Sequence, residues 1–386
     1  MNILHVMAEL VLEHGGVVRA VIDLADQSAR AGHAVTVVSW NAPDAPDAWR
    51  ETEDTGSPTL IETAPPGSLG KLAPDARAAL RTAIDRADVV HLHTPWLPAN
   101  KPTAALCNEL ATPYVITLHG MLDDWCMTQK ALKKKVYLAL GGRKLLEGAA
   151  AVHCTAQAEL DQSQRWYPRG TGVVAPLVFD VEPYADPPGP ELARDAFGID
   201  PDRPVVLFLS RLHVKKGVHV LVKAAQLLAD RGIHAQTLIA GTGDEAYTRG
   251  IESQIAALGL TDSVRLLGMV SGETKVSLYQ AADVFALPTS QENFGFVLPE
   301  ALATGTPAIT TKGVDIWPEL EASGSTVIAE QTPEAFADAI ADLLGDDQRR
   351  AAMGAAGRDW VLTELNADAI AKRYDELYRV AQLSEL

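Results

Sequence analysis

Short apolar runs alternate with longer stretches in which apolar positions recur at helical spacing, and this alternation continues through both halves of the chain. In the first half the runs at 2–8, 34–40, 88–94, 113–120 and 151–156 predict strands. Between the first two, Val18, Val21, Ile22, Ala25 and Ala29 mark one face of a helix that Gly32 stops. The second half repeats the plan, with runs at 204–210, 235–241, 264–270, 283–289, 307–311 and 325–330 and helical stretches between them. Strands that are apolar throughout suit parallel sheets covered by helices on both faces. The fold class expected is therefore α/β, with two doubly wound Rossmann-like domains. The seam lies where seven prolines fall between Pro176 and Pro204 without an apolar period, a linker followed by a short helix around Glu191–Phe197. A last helix is expected over roughly 366–383.

Length agrees with two domains, since 386 residues exceed what one core usually organises. Composition is ordinary for a globular protein, with 47% hydrophobic and 22% charged residues. The net charge of −17 speaks against bulk nucleic-acid binding, which needs a basic footprint. Cys107, Cys126 and Cys154 lack C-x-x-C spacing, so neither zinc nor a disulfide framework is expected, and they read as small buried apolar residues. The N-terminal "MNILHVMAEL" has no basic segment before an apolar one, and no stretch approaches the length of a membrane span, so a cytoplasmic protein is expected.

Ligands of such sheets sit beyond the carboxyl ends of the strands, and the candidate chemistry falls there. "SRLHVKKG" places Arg211 and Lys216 on a loop that opens a helix, where a phosphate would be welcome; a solvated basic loop is the alternative. "AGTGDEA" gives Gly241 and Gly243, either a close backbone approach to a ligand or a plain tight turn. It is only a near match to the dinucleotide fingerprint, because the next strand closes without the acidic residue a nicotinamide enzyme needs. "PTSQENFGFVLPE" places Glu292 on a loop and Glu300 in the first turns of a helix starting near Phe296 or Val297. The amides of Asn293, Phe294 and Gly295 would then be free for an anion, while Glu300 also suits a helix start on dipole grounds alone.

In the first half, His119 precedes Gly120 at a strand end, and His91 and His93 lie on another strand, where a lone histidine is more often a satisfied core residue. Gly15 and Gly16 precede the first helix as a loop that could pass a ligand. Residues 129–148 carry Lys130, Lys133, Lys134, Lys135, Arg143 and Lys144 among apolar positions. They read as a basic amphipathic helix for anionic lipid or an anionic acceptor, or, slightly favoured, as a solvated face. Asp200-Pro201-Asp202 reads as a turn, and with no other carboxylate cluster at ligand spacing no metal is expected.

Together these segments, above all "ENFGFVLPE" as E-x7-E with "SRLHVKKG", "AGTG", "VRLLGMVS", "HGMLDDW" and the 15–38 stretch, resemble retaining glycosyltransferases of family 4 over essentially the whole chain. The resemblance implies the GT-B architecture, two facing Rossmann-like domains with a cleft between them. Residues 1–182 would be the acceptor-binding domain and 183–365 the nucleotide-sugar-binding domain. Residues 366–386 would form a helix packing back towards the first. It implies that Glu300 holds ribose hydroxyls, and that Glu292 with the amides of Asn293–Gly295 holds the donor sugar. Arg211 and Lys216 would neutralise the departing diphosphate without a metal, and no cofactor is implied. The backbone from Gly268 to Ser271, with Met269 and Val270, would receive the base, UDP being the default nucleotide. His119 would meet the sugar near its anomeric carbon, and Gly15–Gly16 would pass the diphosphate. The acceptor implied is a hydroxyl of a glycan, a lipid-linked saccharide or a small molecule, in polysaccharide or glycoconjugate synthesis.

Two departures stand out. Leu177 and Val178 replace the Asn and Gly of the family's Pro-Asn-Gly turn, so Asp180 carries no role, and Asp124 stands where Pro is frequent. Rival functions are a sugar-nucleotide epimerase on the same scaffold, a non-catalytic sugar-nucleotide sensor, and a nicotinamide dehydrogenase. E-x7-E with "SRLHVKKG" disfavours the first, the retained Arg211, Lys216 and His119 the second, and the missing acidic residue the third.

Overall fold

The computed structural model describes residues 1–51 and 56–384. The chain divides into two compact units, Met1–Phe179 with Ala367–Leu386, and Asp180–Asn366.

In the first unit β1 (Asn2–Val6), β2 (Ala34–Ser39), β3 (Thr59–Glu62), β4 (Val89–His93), β5 (Tyr114–Thr117), β6 (Ala151–Cys154) and β7 (Gly172–Val174) form a parallel sheet. The strand order is β3-β2-β1-β4-β5-β6-β7. β3 and β7 have no counterpart in the sequence reading. Both are short and half-buried at the sheet edges, so neither needs a continuous apolar run. One face packs Leu4, Val6, Val90, Leu92 and Ile116 into a core, while Val35 and Val37 on the other meet Val18, Val21, Ile22 and Ala25 of the helix Gly16–Arg30.

The second unit contains β8 (Val205–Leu209), β9 (Gln236–Ala240), β10 (Val264–Gly268), β11 (Val284–Ala286), β12 (Ala308–Thr310) and β13 (Thr326–Ile328), in the order β10-β9-β8-β11-β12-β13. It too is parallel throughout. In each sheet the order reverses beside the first strand, between β1 and β4 and between β8 and β11. Loops diverging at such a reversal open a crevice at the carboxyl ends. The linker helix falls at Glu191–Phe197.

Residues 129–148 do not form one helix. A helix at Ala131–Tyr137 and another at Arg143–Glu147 flank a break where Gly141 adopts φ 104°. A positive φ is open to glycine and costly to other residues, so Gly141 ends the helical path that the basic pattern suggested. Cys107 and Cys154 are buried and Cys126 is half-buried, all unbridged. Asp200 accepts from the amide of Asp202 at 3.0 Å, a turn before β8.

The helix Ala367–Leu383 packs on the first sheet through a buried polar chain. His153 Nε2 lies 2.8 Å from the Ala175 carbonyl, and its Nδ1 lies 2.8 Å from Thr117 Oγ1. Thr117 Oγ1 lies 2.5 Å from His91 Nε2, and His91 Nδ1 lies 2.9 Å from the Tyr378 hydroxyl. Burial holds the His153 imidazole down to about 4 and that of His91 well below its usual value, so both are neutral.

One end then fixes every proton. The Ala175 carbonyl can only accept, so His153 donates from Nε2 and accepts from Thr117. Thr117 accepts from His91 Nε2, and Tyr378 donates to His91 Nδ1. The Tyr378 oxygen in turn accepts from Ser28. Tyr378→Phe removes one donor and strands a buried imidazole nitrogen, a loss of about 1–3 kcal/mol. A drop of that size in the stability of the first unit, followed by denaturant titration, is expected; an unchanged midpoint would contradict the chain.

Candidate active site

At the carboxyl end of β8, residues 210–217 turn into the helix Val218–Asp230 through a short turn at Val214–Lys216 and Gly217. Gly217 adopts φ 71°, and a Cβ there would overlap the Pro288 carbonyl, so only glycine lets this loop lie against the one after β11. The two loops are laced together. Lys215 O accepts from the Ser290 amide at 2.8 Å, and Lys215 Nζ donates to Gln291 Oε1 at 2.6 Å. Their contact places Lys216, only 6% exposed, in an ion pair with Glu292. Burial, then the nearby Lys215 and Arg211 cations, press the Lys216 ammonium down to about 7. The Glu292 carboxylate works against that pressure. Arg211 is exposed beside this pair.

Glu292 is itself held by the backbone. Its amide donates to Gly313 O at 2.7 Å, and the Asp315 amide donates to Glu292 O at 3.0 Å. Asn293 Nδ2 donates to Asp315 Oδ2 at 3.1 Å. The amides of Asn293, Phe294 and Gly295 have no hydrogen-bond acceptor among the described residues. The helix starts at Val297, within the expected window, and Glu300 lies in its first turn. Each Glu300 oxygen has a partner: Lys275 Nζ at 2.8 Å from Oε1 and the Tyr279 hydroxyl at 2.8 Å from Oε2. Tyr184 also bonds to it, and burial with the Glu300 charge pushes both phenols upward. Glu300 is thus a held carboxylate with a defined direction, which dipole complementation alone does not require.

The glycines after β9 have a packing reason. A Cβ on Gly241 would overlap the Ser210 carbonyl and one on Gly243 the Leu212 carbonyl, and the Leu212 amide donates to Thr242 O at 2.8 Å. The tight-turn alternative therefore has direct support. After β10, Met269 exposes 72% of its surface while Val270 is buried.

In the first unit, Gly15 adopts φ 112° and ψ −167°, a region closed to side chains, and Gly16 begins the helix with open space around it. His119 follows β5 with φ 52° and Gly120 with φ 71°, two left-handed residues in succession. Buried Glu159 holds this turn by accepting from the Gly120 amide and, at 2.6 Å, from the Thr155 amide. His119 Nε2 lies 3.3 Å from His93 Nδ1, and His93 Nε2 lies 3.0 Å from His5 Nδ1.

Sequence reasoning missed Glu159, Asp315, Lys275 and Tyr279, which act on the named residues from 21 to 39 positions away. No local spacing announces such partners. His91 is a satisfied core residue in the Tyr378 chain, while His93 belongs to the chain that reaches His119.

Residues 191–360 match the model described as "Glycosyl transferases group 1", and residues 15–177 match "Glycosyl transferase 4-like domain". A D-inositol 3-phosphate glycosyltransferase of Corynebacterium urealyticum is 38% identical over 202 residues, 49% of this chain and 46% of that protein. The chain thus spans about half the length of that relative, and likewise 53% of the Corynebacterium glutamicum protein of the same name. A phosphatidyl-myo-inositol mannosyltransferase of Mycolicibacterium smegmatis is 29% identical over 87% of this chain and 83% of its own. Among solved structures, sucrose-phosphate synthase from Thermosynechococcus elongatus superposes with a TM-score of 0.75 at 23% identity, covering 98% of each chain. HepE of Anabaena in complex with UDP gives 0.76 at 22% identity over 98% of this chain and 100% of its own. The chain belongs to the family 4 glycosyltransferases and has their GT-B fold of two parallel-sheet α/β domains.

Proposed function

We propose that the protein is a retaining, metal-independent glycosyltransferase. It would move a sugar from a nucleoside-diphosphate sugar, UDP favoured, to a hydroxyl of a glycan, lipid-linked or small acceptor. The observation that carries this reading is the buried Lys216 ammonium, paired with Glu292 at the strand-order reversal of the second sheet. An ammonium at about 6% exposure is costly unless something anionic needs it, and Glu292 supplies the counter-charge while no phosphate is there.

In this reading Lys216 and Arg211 bind the diphosphate, Lys as a point charge and Arg as a planar fork. Glu300, aimed by Lys275 and Tyr279, accepts from the ribose hydroxyls. Glu292 and the unpartnered amides of Asn293–Gly295 hold hydroxyls of the donor sugar. The backbone at Gly268–Ser271 meets the base, with Met269 exposing an apolar side chain to its face. His119 faces the sugar, and Gly15–Gly16 pass the diphosphate.

The bond from the anomeric carbon to the phosphate oxygen breaks with its electron pair going to that oxygen. The acceptor oxygen bonds to the same face of the carbon, and its proton goes to the departing phosphate. Fixed cations and amides stabilise the charge that develops on the leaving group, so no protein nucleophile is required. Relatives named for inositol 3-phosphate and for phosphatidyl-myo-inositol support a polyhydroxylated acceptor, soluble or lipid-borne.

The basic segment fits a lipid-borne acceptor. Leu132 and Leu140 are 78% and 72% exposed, beside Val136 and Lys130, Lys133 and Lys135, so the surface offers both apolar contact and charge to anionic headgroups. Sedimentation with vesicles of anionic lipid is expected to carry the protein down, and Leu132→Glu with Leu140→Glu to release it. Binding unchanged by the double substitution would remove this surface.

Three outcomes test the donor site. In a thermal-shift panel of UDP-, GDP- and ADP-sugars with EDTA present, one nucleotide is expected to raise stability, by about 2.7 kcal/mol at 100 times its Kd. Lys216→Ala and Glu300→Ala should each abolish transfer in a folded protein, and near-normal turnover in either would sink the assignment. Glu292→Gln removes the charge that keeps Lys216 protonated. Phosphate needs the protonated form, so UDP affinity of the wild type should fall as pH rises through about 7, and that of the variant should fall at lower pH. Parallel pH profiles in calorimetry would contradict the pairing.

A further inference from the structure

Five histidines lie buried on the first sheet: His5, His91, His93, His119 and His153. His5, His91 and His93 cluster closely enough to suggest a metal site. The ring planes argue against it. They are nearly parallel, 13° apart for His5 and His93 and 20° for His91 and His93. An imidazole donates its lone pair in the plane of its ring, so stacked rings do not aim at one ion. Both nitrogens of His91 are also engaged, with Tyr378 and Thr117.

What remains is a second hydrogen-bonded chain, His5–His93–His119, separate from the one anchored on Ala175. Burial lowers His5 and His119 to about 3 and His93 well below its usual value, so all three rings are neutral. Each neutral ring has one N–H and one lone pair. His93, bridging through both nitrogens, must donate to one neighbour and accept from the other. The protons of the three rings therefore move together, all on Nδ1 or all on Nε2.

The sealed end decides the direction. His5 Nε2 is buried and has no partner among the described residues. With all protons on Nε2, an N–H would be sealed there without an acceptor, the rarer and costlier kind of orphan. With all protons on Nδ1, only a lone pair is sealed. His5 then donates to His93, His93 donates to His119, and the open end of the chain is an N–H at His119 Nδ1.

We propose that His5 and His93 are positioning residues that hold His119 as the neutral Nδ1–H tautomer, so that it offers a donor to an oxygen of the bound sugar nucleotide. This rests, for its functional meaning, on the reading of His119 given above. A neutral donor suits a site that also stabilises oxocarbenium character, because it fixes a sugar or phosphate oxygen without placing a cation beside a carbon that is gaining positive charge.

The measurement is a long-range 1H–15N correlation on the full chain labelled with 15N-histidine, read for tautomers. His5, His93 and His119 are expected to carry the proton on Nδ1, while His91 and His153, anchored by the Ala175 carbonyl, carry it on Nε2. A His119 proton on Nε2, or mixed tautomers among the three, would overturn the proposal. His5→Asn can present either its amide oxygen or its NH2 to His93 Nε2, which frees the direction of the chain, so His119 should then sample both tautomers; an unchanged His119 signal would remove His5 from the chain. The readout does not depend on turnover. A protein with this pattern that transfers no sugar counts against the proposed reaction, and one that transfers sugar without it counts against the chain alone.

Discussion

Every strand described in both sheets runs the same way as its neighbours, and the rest of the molecule follows from that constraint. Parallel strands cannot be joined by tight turns, so longer connections, most of them carrying a helix, recross the sheet, and all carboxyl ends fall on one edge. Loops leaving β1 and β4, or β8 and β11, must turn to opposite faces because the order reverses there. Chemistry-bearing residues gather at the carboxyl ends of the strands in each unit. Gly15 and His119 lie beyond the ends of β1 and β5; Lys216 and Glu292 lie beyond β8 and β11. Residues 76 positions apart are paired because two neighbouring strands end side by side.

The charges at the second of these edges share a physical logic. A buried ammonium left alone would lose its proton, and a buried carboxylate left alone would gain one. Lys216, buried, is set against Glu292, and half-buried Lys275 against Glu300. Such pairs contribute little net stability, because desolvation cancels most of the attraction. What they do provide is side chains of both signs, fixed in direction by the surrounding loops. In the proposed reading an incoming phosphate would take the place of a carboxylate rather than of bulk water beside Lys216, so little reorganisation would accompany binding.

The fold was legible because its signals are local. Apolar runs marked eleven strands, helical spacing marked the Gly16 helix, and prolines marked the seam. β3 and β7 were missed because edge strands are not buried on both faces and so need not be apolar throughout. The break at Gly141 was missed because a glycine within a basic amphipathic pattern reads as tolerated until its φ is known. At the site, the loop positions of Lys216, Glu292 and Glu300 could be read, but not their partners. Gly241 and Gly243 illustrate the limit well. From sequence they suited a ligand and a tight turn equally, and what separates the two is the position of the Ser210 and Leu212 carbonyls, set by a neighbouring strand.

The histidines extend the same lesson from position to proton. Taken singly, each of His91, His93 and His119 is a residue that could be core or site. Taken together they divide by what lies at the end of their hydrogen bonds. A chain that ends on a backbone carbonyl has its direction imposed, since the carbonyl has no proton to give, and His91 and His153 become structural groups tying the last helix to the sheet. The other chain ends on the sealed His5 nitrogen at one side and on His119 at the other. Its direction is transmitted to the edge where ligands belong. Two rows of the same side chain, stacked 4.4 Å apart at His91 and His93, thus do different work, and the difference lies in one acceptor at Ala175.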